Sequence, residues 1–66
     1  MITANNLISL DFEFNNFDEV FEFRDISVEF NELDSKEVVV KLNGFQLYGI
    51  QDHRDMSKLI ELVYGI

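Results

Sequence analysis

The sequence predicts an α+β fold, a four-stranded antiparallel β-meander packed against one C-terminal α-helix. Three observations carry this expectation. Apolar and polar residues alternate with a period of two through much of the first 50 positions, Asn43-Gly44 sits between two such runs, and the period becomes helical after Gln51.

Ile8, Leu10, Phe12 and Phe14 alternate with Ser9, Asp11 and Glu13, which predicts a first strand, apolar on one face and acidic on the other. Asn15-Asn16 can form a tight turn, because asparagine tolerates the left-handed conformation. Residues 17–23 then predict a second strand, favoured by Val20-Phe21-Glu22-Phe23. A two-residue turn would set Glu13 opposite Asp18 and Phe12 opposite Glu19, which is unfavourable. The alternative is an extra helical turn near residues 17–23, with Asn16 as its cap and Glu19 as the reciprocal partner.

Phe21 and Phe23 are odd, whereas Ile26, Val28 and Phe30 are even. Either a bulge near Arg24-Asp25 resets the phase or two elements meet there. Residues 31–36 read as a polar connection. Asn43-Gly44 then predicts a hairpin that pairs Leu42 with Phe45 and Val40 with Leu47. Met56, Leu59, Ile60 and Val63 at helical spacing predict a helix over about residues 53–64, capped by Asp52 or Asp55 and stopped by Gly65. The expected core is Ile8, Leu10, Phe12, Phe14, Phe21, Phe23, Ile26, Val28, Phe30, Val38, Val40, Leu42, Phe45, Leu47, Met56, Leu59, Ile60 and Val63.

At 66 residues the chain is expected to form a single small acidic domain, 1–66. A chain this short buries only about 60% of its unfolded surface. With no cysteine it has neither a disulfide nor a thiolate metal site, so its 47% apolar content must supply the core. Met1 to Asn6 lack the basic-then-apolar order of a secretory signal, and the longest apolar runs are three residues. A cytoplasmic, membrane-free setting is the expectation.

Charge is the strongest functional signal. Ten acids (Asp11, Glu13, Asp18, Glu19, Glu22, Asp25, Glu29, Glu32, Asp34 and Glu37) face only Arg24 and Lys36 in the first 37 positions, which accounts for the whole net charge of −8. Val38 to Ile66 is neutral, with Asp52, Asp55 and Glu61 against Lys41, Arg54 and Lys58. A field of this sign attracts basic surfaces and repels nucleic acid and anionic lipid. On the proposed strands Asp11, Glu13, Asp18, Glu22, Glu29 and Glu37 share the face away from the helix, with Glu32 and Asp34 at an edge. Strands lie about 4.8 Å apart and same-face residues about 6.8 Å apart. A carboxylate array on that grid roughly imitates a phosphate track. The competing reading is a solvated face that keeps an apolar miniprotein soluble.

No motif specifies a reaction. Asn31, Glu32, Asp34 and Glu37 lack the spacing and central glycine of a calcium loop. His53-Arg54-Asp55 matches a kinase catalytic loop in three letters only and fits a helix start better. Val20, Val39, Tyr48 and Ile50 form an outer apolar set, with Val39 beside Tyr48, that suits a binding spot, a homodimer seam or ordinary surface.

The expected function is therefore that of a non-enzymatic small acidic protein-binding module without cofactor or metal. Its partner would be a basic protein such as a nucleic-acid-binding enzyme, whose groove it occupies as a nucleic-acid mimic. This is the manner of phage anti-defence and host-takeover inhibitors, an analogy of type. The expected partner-binding residues are Asp11, Glu13, Asp18, Glu22, Glu29, Val39 and Tyr48. The alternatives are an immunity protein or antitoxin that neutralises a basic toxin, and a homodimeric structural or accessory subunit.

Overall fold

In the computed structural model, which describes residues 1–30 and 38–66, the chain runs as α1 (Ala4–Ser9), β1 (Glu13–Asn15), β2 (Val20–Phe23), β3 (Ile26–Phe30), β4 (Val38–Leu42), β5 (Phe45–Leu47) and α2 (His53–Tyr64). All neighbouring strands are antiparallel, in the order β1-β2-β3-β4-β5. The α+β meander with its C-terminal helix is as expected, with five strands among the described residues rather than four.

The main correction lies at the N-terminus. The expected strand through Ile8, Leu10, Phe12 and Phe14 is a short helix, a reversal and only then a strand. Thr3 Oγ1 accepts the Asn6 N–H at 3.1 Å, and Asn6 Oδ1 accepts the Thr3 N–H at 3.0 Å, a reciprocal cap that starts α1. At its other end the Phe12 N–H bonds the Leu7 carbonyl at 3.0 Å and the Asp11 N–H bonds the Ile8 carbonyl at 3.1 Å. Asp11, at φ 70°, holds the left-handed position of this Schellman stop. Leu7 and Phe12, joined by the bond that spans more residues, are both buried. The helix thus buries Leu7 and leaves Ile8 exposed, the reverse of what the alternation suggests.

The second correction is the β1–β2 turn. It takes in residues 16–19, with Asn15 opposite Val20, so the two-residue Asn15-Asn16 turn does not form. Asn15 Oδ1 accepts the N–H groups of Phe17 and Asp18 at 2.9 and 3.1 Å, and the Glu19 N–H bonds the Asn15 carbonyl at 2.7 Å. The side chain therefore shapes the loop, as asparagine does in Asx turns. Val20–Phe23 is strand, so of the two readings of residues 17–23 the strand holds for its second half.

Two elements meet at Arg24-Asp25. Phe23 pairs with Ile26 across a two-residue loop, with Arg24 at φ 52°, so odd and even apolar residues share one face. The β4–β5 hairpin has the expected register, Leu42 opposite Phe45 and Val40 opposite Leu47. Both loop residues, Asn43 and Gly44, have positive φ, as a type I′ turn requires. The polar connection at 31–36 lies outside the described residues.

α2 matches its expected span. Asp52 Oδ1 accepts the Asp55 N–H at 2.9 Å, Asp55 Oδ2 accepts the Gln51 N–H at 3.0 Å, and Gly65 closes the helix at φ 74°. Met56 and Ile60 are buried, with Leu59 and Tyr64 packed against the core. Tyr64 replaces the expected Val63 on the inner stripe. Its hydroxyl accepts the Asp25 N–H at 3.0 Å and its ring meets Phe23 edge-on at 5.7 Å.

The core comprises Ile2, Leu7, Phe12, Phe21, Ile26, Val28, Val40, Met56 and Ile60. Ile2 and Leu7, absent from the expected core, are fully covered, whereas the expected Ile8, Phe14, Phe45 and Val63 are exposed. Phe14 and Phe45 fail for one reason: they occupy the two edge strands, where the inner face has a neighbour on one side only.

Candidate functional site

The strand register fixes which side chains share the outer face. Across the five strands runs one row, Glu13, Glu22, Ser27, Lys41 and Gln46, each directly opposite the next. Glu29, two residues beyond Ser27 and opposite Val39, lies on the same face. Glu13, Glu22, Glu29 and Val39 are thus brought to one surface, and all three carboxylates are exposed.

Glu13 and Glu22 stand side by side on neighbouring strands, at the separation where like charges repel. Asn15 holds this corner: its Nδ2 donates to Glu22 Oε1 at 2.8 Å and to Asp18 Oδ2 at 3.2 Å. Asp18 is therefore carried by the turn, not by a strand, and one amide draws it toward Glu22. Asparagine as an organiser of carboxylates was not foreseen; the signal was Asn15 itself, three residues before Asp18 and seven before Glu22.

Asp11 reaches the same region from the α1 stop. An open depression of about 510 Å³ is lined by Asp11, Glu13, Phe14, Asn15, Glu22, Phe23 and Arg24. Three of the expected carboxylates meet there, joined by a cation the sequence pattern did not place. The Arg24 guanidinium carbon lies 4.7 Å from the Tyr64 ring centre and 5.4 Å from that of Phe23, within cation–π range.

Tyr48 stands apart from this group. It follows the last residue of β5, is 83% exposed, and does not form the expected strand pair with Val39. Ile50, also placed on the outer face by its sequence pattern, packs against the core. Glu32, Asp34 and Glu37 lie outside the described residues, as does Asn31. Among the described residues no three His, Cys, Asp or Glu side chains gather as a metal site, and no helix is long and apolar enough to cross a membrane.

Chemically, the acidic corner can attract and orient cations. Strand and residue spacings of about 5–7 Å lie inside the Debye length of about 8 Å at physiological salt, so the carboxylates act as one field. Set against known protein families, curated proteins and solved structures, the chain matches none.

Proposed function

We propose that this protein is a non-enzymatic acidic binding module that occupies a basic groove on a nucleic-acid-binding protein. The observation that supports this reading is the Glu13–Glu22 pair, with Asn15 tying Glu22 and Asp18 into one corner. Charge serving solubility alone is freely interspersed with opposite charge. Two glutamates set directly across a strand pair, with no base in their row until Lys41, weaken the sheet that carries them. A basic partner supplies the countercharge. Glu13, Glu22, Glu29, Asp18 and Asp11 provide the field, with Val39 beside Glu29 as an apolar contact. The setting is the cytoplasm, and the mechanism is occlusion without covalent chemistry.

The test uses the purified protein as bait in nuclease-treated bacterial lysate, with low- and high-salt washes and duplex DNA as competitor. Capture of a basic nucleic-acid-binding protein that DNA displaces is the expected result. A variant combining Asp11→Asn, Glu13→Gln and Glu22→Gln should then associate with that protein more slowly and with a flatter salt dependence. Recovery only of partners indifferent to salt and DNA, or unchanged association of the triple variant, overturns the reading.

A further inference from the structure

The two edges of the sheet differ in a way that bears on self-association. An edge strand offers unpaired backbone groups to any passing strand, and proteins guard such edges with charge, proline or bulges. The β1 edge is guarded: Glu13 lies on it, with Asp11 before it and Asp18 in the turn after it. The β5 edge is not. Phe45, Gln46 and Leu47 carry no charge, Tyr48 follows them, and the chain contains no proline. Phe45 is 77% exposed and Tyr48 83%. Beside this edge lies an open depression of about 500 Å³, with Met1, Val38, Leu47 and Ile50 among its lining residues.

The geometry points to a second copy of this chain as the occupant of that edge, paired antiparallel along β5 about a two-fold axis at Gln46. Charge selects the occupant. A basic partner is drawn to the acidic half of the molecule, and an acidic partner is repelled by the net charge of −8. Two copies meeting at β5 bring together the neutral half, Val38–Ile66, and hold their acidic edges at opposite ends of the joined sheet. The register is self-complementary, as an isologous interface requires. Gln46 faces Gln46 of the second copy, and each Phe45 comes beside the other copy's Leu47. Phe45 and Leu47 share the inner face, so each Phe45 ring enters the depression lined by the other copy's Leu47 and Val38. The joined sheet has ten strands, five from each copy, and both carboxylate rows lie on one continuous outer surface. A three-residue edge makes a small contact, below the roughly 1,200 Å² of stable complexes, so the dimer is weak.

Sedimentation equilibrium of the full chain, from micromolar to about 1 mM, tests this. The mass is expected to rise with concentration from the 7.8 kDa monomer toward twice that value. Added salt should strengthen the dimer by screening repulsion between the acidic halves. Gln46→Lys sets a new cation beside Lys41 in each copy and brings the two new cations face to face across the axis. Phe45→Ser removes the inserted ring. Either change should raise the dissociation constant about tenfold or more, with the circular dichroism spectrum unchanged. A mass that stays at one chain throughout, or a dimer that both variants leave intact, overturns the proposal.

Discussion

Glu13 and Glu22 stand directly opposite each other on β1 and β2, with the Asn15 amide donating to Glu22 alone of the two. Among the described residues Glu13 is therefore the member of this like-charge pair that the Asn15 amide does not relieve. Glu13→Gln should stabilise the isolated protein by about 0.5 kcal/mol, since opposed like charges cost a few tenths to about 1 kcal/mol. Urea titrations at low and high salt read the difference, which should shrink as salt screens the repulsion. An equal or lower midpoint at low salt would show that the pair is already neutralised within the fold.

Leu7 and Ile8 should respond to truncation in opposite ways. Leu7 is fully buried, whereas Ile8 is 59% exposed. Leu7→Ala should cost about 2–5 kcal/mol, a large share of the roughly 3–10 kcal/mol available to a chain of this size. Ile8→Ala should stay within about 0.5 kcal/mol of the parent. Thermal melts of the two variants decide between the helix of the structure and the alternating strand of the sequence pattern, for which the order of the two losses reverses.

The elements legible from sequence are those whose local chemistry and hydrophobic period agree. Asn43-Gly44 can adopt positive φ at both positions, so turn and register followed together, down to Val40 opposite Leu47. Asp52, the Met56-Leu59-Ile60 stripe and Gly65 mark α2 at both ends. The N-terminus misleads because six residues hold less than two helical turns, too few to display a 3.6 period. Ile8, Leu10, Phe12 and Phe14 alternate across a helix, a reversal and a strand that share no face. Thr3 and Asn6, three apart, were the available sign of the cap. The acidic face was legible at Glu13, Glu22 and Glu29, whose strands alternate as expected. It was not at Asp11 and Asp18, which reach the site through a helix stop and a side-chain-built turn.

Asp11 carries a backbone cost as well as a charge. It sits at φ 70° in the Schellman stop of α1, a position that glycine fills without strain. Asp11→Gly should stabilise the fold by about 0.5–1 kcal/mol, the relief of left-handed strain exceeding the added chain entropy of glycine. The same change removes a carboxylate from the candidate site, so stability should rise while binding to a basic partner weakens. Asp11→Asn separates the two effects, keeping tolerance of the conformation without the charge. Denaturant titrations of the three proteins, beside their association rates, give the comparison; a less stable Asp11→Gly protein would place the carboxylate in a structural role.

The N-cap of α2 sets a pH dependence whose sign follows from its hydrogen bonds. The Asp55 N–H bonded to Asp52, helped by the Arg54 N–H and the Arg54 charge, holds the Asp52 carboxyl below the usual carboxylate range, against a smaller opposing effect of desolvation. A group whose folded pKa is depressed contributes stability that is complete above its unfolded value, about 3.9, and is lost as pH falls through the folded value. Asn is as good an N-cap as Asp, so Asp52→Asn keeps the cap and removes the titration. Stability of the parent relative to this variant should therefore rise with pH up to about pH 4 and level off just above it. Urea midpoints of both proteins at a series of acid pH values measure it. A difference that is flat through the acid range would mean that the ionised Asp52 carboxylate is no better bound in the folded chain than in the unfolded one.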